Sequence, residues 1–233
     1  MILVCGDVHA EFKQVNSLIN SNPEISMIIQ CGDFGWWPKE HGKSYLDSMG
    51  KIHFFDQYSL KNKDVEIRWC KGNHEDHEDL EKRTELEVMP KVFYQPNGST
   101  IKLPDGRIVL FMGGAFSVDH QFRTAGYDWF PHLETVSQKD IYNLPDVNVD
   151  IVISHICPRE FYDRIKHLLD PHWEKKGEDS SLEALSIVLK KYKPQLWYFG
   201  HFHIHKEGFD NGCRWITLSA PGFGKRWWEY LKN

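Results

Sequence analysis

The sequence predicts an α/β fold in which two mixed β-sheets pack together with helices outside. Three observations carry that expectation. Short apolar runs recur along the chain, and nearly all stop at Gly or His. Segments of helical period lie between several of them, and two hairpin turns appear later in the chain. Alternating strands and helices favour parallel pairing, while hairpins add antiparallel strands, so the sheets should be mixed.

In chain order, "ILVCG" (2–6), "SMIIQCG" (26–32), "VEIRWCKG" (65–72), "IVLFMGG" (108–114), "DIVISH" (150–155) and "LWYFGH" (196–201) read as buried strands. A helix is expected over 11–20, with Phe12, Val15, Leu18 and Ile19 on one face. Others are expected over about 44–61, about 76–87 and 181–191. The last has Leu182, Leu185, Ile187, Val188 and Leu189 on its apolar side and opens on Ser180 and Glu183, spaced as a capping box. "IKLPDGRIVLF" should turn at Pro104-Asp105-Gly106, and "GFDNGCRWITL" at Asn211-Gly212. Residues 115–135 show neither period and read as an irregular insertion; long loops in compact domains are often functional.

No repeat, low-complexity tract or Gly/Ser/Pro-rich linker divides the chain, so a single domain over 1–233 is expected. A length of 233 residues is enough to bury a substantial core. The net charge of -5 argues against loose, non-specific nucleic-acid binding, which depends on surplus Lys and Arg. A nucleic-acid substrate stays compatible with it, because bound divalent cations reverse the local sign at a site. The start "MILVCGDVH" lacks the basic and apolar regions of a signal peptide, and no apolar run is long enough for a membrane span. Cys5, Cys31, Cys70, Cys157 and Cys213 are far apart and odd in number, which suits reduced, buried thiols. A cytoplasmic protein without membrane contact or obligate protein partner is therefore expected.

Ligand-type residues collect at strand ends. Asp7 and His9 follow the first strand, Asp33 the second, and Asn73 and His74 follow "RWCKG". His155 ends "DIVIS", and His201 and His203 follow "LWYF". Singly, each reads as a turn, a helix cap or a hydrogen-bonded structural histidine. Together they fall where sheets with parallel strands bind ligands, beyond the strand carboxyl ends. Carboxylates mixed with imidazoles suit borderline divalent metals. So many donors exceed one tetrahedral site and would suit two cations roughly 3.5–4 Å apart, sharing a carboxylate.

The ordered runs "GDVH", "GDFG", "GNHE", "SH" and "GHFH" resemble the motifs of the calcineurin-like metallophosphoesterases, from residue 6 to residue 203. That resemblance implies a four-layer α/β/β/α sandwich of two mixed sheets flanked by helices. It implies a phosphoesterase acting on a phosphomonoester or phosphodiester through attack by a metal-bridging hydroxide. Asp7, His9 and His203 would hold one cation, Asn73, His155 and His201 the other, and Asp33 both. His74 would be the catalytic residue, stabilising the transition state or protonating the leaving oxygen. Two divalent cations are implied, manganese first, with iron, zinc, nickel or magnesium as alternatives. The substrate would be a phosphorylated small molecule, a nucleotide or a nucleic acid.

The departures are informative. "FGWWP" follows Asp33, where protein Ser/Thr phosphatases carry an Asp-Arg-Gly run. Trp36 thus stands where those enzymes place the carboxylate that pairs with the catalytic histidine. That leaves open whether Glu75, Asp76 or no carboxylate orients His74. "CGDF", "GGAFSVDHQFR" and "SHICPRE" are similar to runs in RNA lariat debranching enzymes, although the chain ends soon after the last motif. A nuclease of that type is the alternative enzyme reading, and a non-catalytic scaffold on the same fold the alternative of another class.

Arg123, in the irregular insertion, could grip a phosphate oxygen, and His120 is a second candidate of that kind. Trp36 and Trp37 follow a ligand loop and could stack a base, but their bulk favours the core. "RWWEYLKN" should dock its tryptophans on the body. His205 alternates with His201 and His203 but lies outside the motif, so a structural role is expected for it.

Overall fold

The computed structural model describes residues 1–40, 44–46, 52–54, 60–61, 64–169 and 179–232. Its two six-stranded sheets share one plan: four parallel strands with an antiparallel strand on each edge. The first runs β14 (Trp228–Tyr230), β1 (Ile2–Cys5), β2 (Met27–Gln30), β5 (Glu66–Trp69), β7 (Val92–Tyr94), β6 (Glu87–Met89). The second runs β12 (Lys206–Asp210), β13 (Cys213–Thr217), β11 (Leu196–Phe199), β10 (Ile151–Ser154), β9 (Ile108–Met112), β8 (Thr100–Lys102).

Both faces of the central strands are buried, which is why these segments read as continuous apolar runs rather than as alternation. Successive side chains point to opposite faces. Val4, Ile29, Ile151, Ile153, Leu196 and Tyr198 accordingly meet between the sheets. Leu3, Cys5 and Ile28 face outward onto helix α1 (Phe12–Ser21), through Phe12, Val15 and Leu18. On the other side, Val152, Trp197 and Phe199 pack under α4 (Arg159–Ile165) and α5 (Ser180–Tyr192). The result is the four-layer order of helix, sheet, sheet, helix.

Both hairpins turn where expected. Asn211 and Gly212 have φ of 51° and 80°, the paired left-handed conformation of a tight two-residue turn. Gly106, at φ 95°, closes the β8–β9 turn. The C-terminal tryptophans dock as expected, with β14 pairing to β1. All five cysteines are buried free thiols. Among the described residues no helix is long and apolar enough to cross a membrane.

Several local expectations are corrected. The helix expected over about 44–61 does not form at its described positions, where β3 (Ser44–Leu46) and β4 (Ile52–Phe54) pair antiparallel; 47–51 and 55–59 lie outside the described residues. The helix expected over about 76–87 is the shorter α2 (His77–Lys82), because the chain then turns into β6. Helix α5 is capped by Asp179, whose side chain accepts from the Ser181 amide, and not by a Ser180–Glu183 box. Ile187 on this helix is 50% exposed. The capping box instead opens α3 (Gln138–Tyr142), with Ser137 and Asp140 as reciprocal partners.

Candidate metal centre

All the expected donors arrive on short loops leaving the carboxyl ends of parallel strands. Asp7 follows β1, Asp33 follows β2, and Asn73 and His74 follow β5; His155 follows β10, and His201 and His203 follow β11. His9, Ala10, Asp33, His201 and His203 all adopt positive φ, from 47° to 66°. L-residues pay of order 1–3 kcal/mol each for such backbone, and they keep it where surrounding structure imposes it. These kinks also break the alternation of a strand, so His201 and His203 leave β11 in different directions from what period two implies. His205 stands apart, its Nδ1 donating to the Thr217 carbonyl at 3.1 Å.

Glycine lets the two carboxylates in. A Cβ on Gly72 would lie 2.0 Å from Asp33 Oδ1, and one on Gly200 would lie 2.0 Å from Asp7 Oδ1. Backbone amides then fix one oxygen of each acid. Asn73 and His74 amides both donate to Asp33 Oδ1 at 2.8 Å, and the His201 amide donates to Asp7 Oδ1 at 2.9 Å. The second oxygen of each points into the cluster. Asp7 Oδ2 is buried, and no backbone amide reaches it among the described residues.

The donors fall into two sets around Asp33. In the more open set, His203 Nε2 lies 2.9 Å from Asp7 Oδ2 and 3.0 Å from His9 Nε2. His9 Nε2 is 3.7 Å from both Asp7 Oδ2 and Asp33 Oδ2. In the deeper set, His155 Nε2 lies 3.0 Å from Asn73 Oδ1, 3.1 Å from His201 Nδ1 and 3.4 Å from Asp33 Oδ2. His155 Nδ1 is 2.9 Å from the Cys31 carbonyl, which can only accept, so the Nδ1 carries the proton. When neutral, as a metal ligand must be, His155 turns a lone pair toward an amide oxygen, a carboxylate and another imidazole nitrogen. Electron-rich atoms facing one another in a buried space are the chemistry of a cation site.

The electrostatics agree. Burial disfavours charge on His155, yet Asp33 and Asp7 more than offset this and raise it to about 10. A proton there stands where a cation would otherwise balance the two acids. His201 shows the opposite balance: burial first, then the neighbouring His155, drives it down to about 3. Burial opposes ionisation of Asp33, but His155 and His74 outweigh it and hold that acid well below the usual carboxylate range.

His74 lies at the mouth, its Nε2 4.0 Å from Asp33 Oδ2 and its ring 5.1 Å from that of His9. It also joins His9 and Asp33 in a group whose donor atoms all lie within 4.8 Å. Neither acid beside it in sequence turns to it. Glu75 accepts from the Gly35 and Gly72 amides, and Asp76 caps α2 while pairing with Lys39. The group against His74 is Arg123, whose guanidinium nitrogen lies 2.6 Å from Nε2 and 2.9 Å from Nδ1. Asp119 holds that guanidinium at 2.7 Å, one helical turn away in sequence. His120 instead binds the Ser117 carbonyl and packs against Trp129.

Trp36 and Trp37 are core residues, 3% and 8% exposed, and Trp36 donates to Asp79. Sequence reasoning missed Ser117, Asp119 and Glu134, which surround Asn73 and Arg123 from within the insertion. No period or spacing marks them; the i, i+4 pairing of Asp119 with Arg123 was the one available signal.

Residues 1–205 match the family model described as calcineurin-like phosphoesterase. Among solved structures, the phosphopantetheinyl hydrolase PptH from Mycobacterium tuberculosis is similar with a TM-score of 0.55 at 12% identity, covering 99% of this chain and 95% of that one. TT1561 of Thermus thermophilus is similar with a TM-score of 0.50 at 12% identity, covering 94% of this chain and 88% of that one. At such identity the two structures speak to the fold alone. No curated protein matches significantly. The family match takes in every strand-end donor from Asp7 to His203, so the chain belongs to the calcineurin-like phosphoesterase family.

Proposed function

We propose that this single-domain protein is a dinuclear-metal-dependent phosphoesterase. Asp7, His9 and His203 hold one cation, Asn73, His155 and His201 hold the other, and Asp33 serves both. The observation that carries this reading is the position of Asp33 Oδ2, 3.7 Å from His9 Nε2 on one side and 3.4 Å from His155 Nε2 on the other. One carboxylate oxygen shared between two donor sets is the arrangement a cation pair requires. Bound divalent cations, manganese foremost, would supply an activated water and neutralise the phosphoryl oxygens.

The chain's own residues account for the rest. Arg123 and His74 sit side by side at the mouth, where they can share the non-bridging oxygens of a substrate phosphate. Partial burial, together with Arg123 and His9, keeps His74 short of a proton in the free protein. A phosphate dianion bound beside Arg123 and His74 opposes that effect, favouring the protonated ring that donates to the leaving oxygen. His9, His74 and His203 are the partly exposed members of the cluster, so substrate approaches from their side.

The test is metal content of the purified protein, with hydrolysis of p-nitrophenyl phosphate and bis-p-nitrophenyl phosphate under Mn, Ni, Zn and Mg. Metal-dependent hydrolysis of at least one ester is expected. No hydrolysis of either with any of the four would overturn the enzyme reading. The ratio of the two rates separates a monoesterase from a diesterase, the latter being the behaviour of a nuclease.

A further inference from the structure

We propose that Ser117 and Glu134 are positioning residues that decide which end of the Asn73 carboxamide faces the cations. The proposal rests on the reading above that Asn73 holds the deeper cation. A carboxamide offers an oxygen on one side and an NH2 on the other, of nearly the same shape. Only the oxygen can hold a cation. Nothing in the shape of the pocket chooses between them, so the choice falls to the partner of the other end.

That partner is Ser117 Oγ, 3.2 Å from Asn73 Nδ2. A hydroxyl either donates or accepts toward a given neighbour, and it has one proton. Here the proton is committed elsewhere: Ser117 Oγ donates to Glu134 Oε2 at 2.6 Å. Its lone pairs are left for Asn73, and a lone pair accepts from NH2 but repels a carbonyl oxygen. The amide must therefore turn its nitrogen to Ser117 and its oxygen to His155, 3.0 Å away. Glu134 is itself fixed, its Oε1 accepting from the Ser117 amide at 3.0 Å and from Trp129 Nε1 at 3.1 Å. Both Ser117 and Glu134 are fully buried, so water does not substitute for either partner.

The surrounding contacts give the insertion a reason to exist. It leaves β9 of the second sheet and docks on the loop after β5 of the first. Gly114 N donates to the Lys71 carbonyl at 2.8 Å, Lys71 Nζ to the Leu133 carbonyl at 2.6 Å, and Arg123 to the Asn73 carbonyl at 3.2 Å. Backbone and side chain of Asn73 are thus both held by a segment of 115–135.

Metal-free protein titrated with Mn²⁺ in a calorimeter tests this without reference to turnover. Wild type should show two binding events. Ser117→Ala should weaken one of them by about 10- to 100-fold and leave the other, the usual cost of removing a partner of a metal ligand. Ser117→Thr, which keeps the hydroxyl, should restore it. Glu134→Gln should behave as Ser117→Ala, because it frees the serine proton to point at Asn73; it carries the test if Ser117→Ala does not fold. In an Asn73→Asp background the two ends are alike, so Ser117→Ala should then change little. Equal weakening of both events, or the same loss in the Asn73→Asp background, would mean a merely structural role and overturn the proposal. Asn73→Ala separates the two layers. If it leaves both events intact, the ligand reading fails; if it removes one while Ser117→Ala and Glu134→Gln bind as wild type, the positioning proposal alone fails.

Discussion

His74 and Asp33 lie 4.0 Å apart, yet the chemistry gives them separable tasks. His74→Ala should lower kcat by about 10²- to 10⁴-fold, the range for loss of a general acid, while the protein keeps its metal. Asp33→Ala should lose both, because its carboxylate touches both donor sets. Metal analysis beside steady-state kinetics distinguishes them, and full activity in His74→Ala would remove that residue from the mechanism. Arg123 makes a different prediction. Its planar fork meets His74, Asp119 and the Asn73 carbonyl at once, a geometry the lysine ammonium does not reproduce. Arg123→Lys should lower kcat/KM by about 10- to 100-fold, the worth of a charge-assisted hydrogen bond. An unchanged kcat/KM would place Arg123 outside substrate binding.

Among the elements, the loops that leave the strands carry the strain. Gly72 and Gly200 exist so that Asp33 and Asp7 can approach the backbone and take up its amides. Gly200→Ala puts a methyl into the Asp7 carboxylate and should cost about 1–3 kcal/mol, as overpacking does elsewhere. Urea unfolding measures that loss, and the metal stoichiometry of the variant should fall with it. The strands and glycines here were legible in advance, because apolar runs ending in Gly are local patterns. β3 and β4 were not, since their apolar residues also suit a helix over 44–61. Nor was the Asp179 cap, where three successive candidates, Asp179, Ser180 and Ser181, compete for one position.

Across the molecule, the C-terminal segment ties the sheets together. β14 extends the first sheet, and Lys232 then reaches Glu207 on β12 of the second at 3.0 Å. Arg214 holds the same carboxylate at 2.9 Å; Arg214 and Lys232 together lower Glu207 to about 2. Its folded pKa lies below the ordinary 4.5, so its stabilisation is complete above pH 4.5 and lost as pH falls toward 2. Glu207 is half exposed, which keeps the effect to about 0.2–1 kcal/mol and makes it sensitive to salt. Acid unfolding of Glu207→Gln at low salt should begin at slightly higher pH than wild type, and high salt should close the gap. A gap that persists in high salt would point to packing in place of charge.

The α/β class, six of the parallel strands and the residue types of the candidate metal ligands could all be read from the chain before folding, because each is written in short windows. Five strand-end motifs in a fixed order were enough to expect two cations and a catalytic histidine. Folding was needed to learn that Glu75 and Asp76 brace loops while Arg123 meets His74, and that Ser117 meets Asn73 while bonded to Glu134. The Ser117–Glu134, Ser117–Asn73 and Arg123–His74 contacts span 17, 44 and 49 residues of chain. No periodicity extends that far, so only the packing of one sheet on the other could choose the partners.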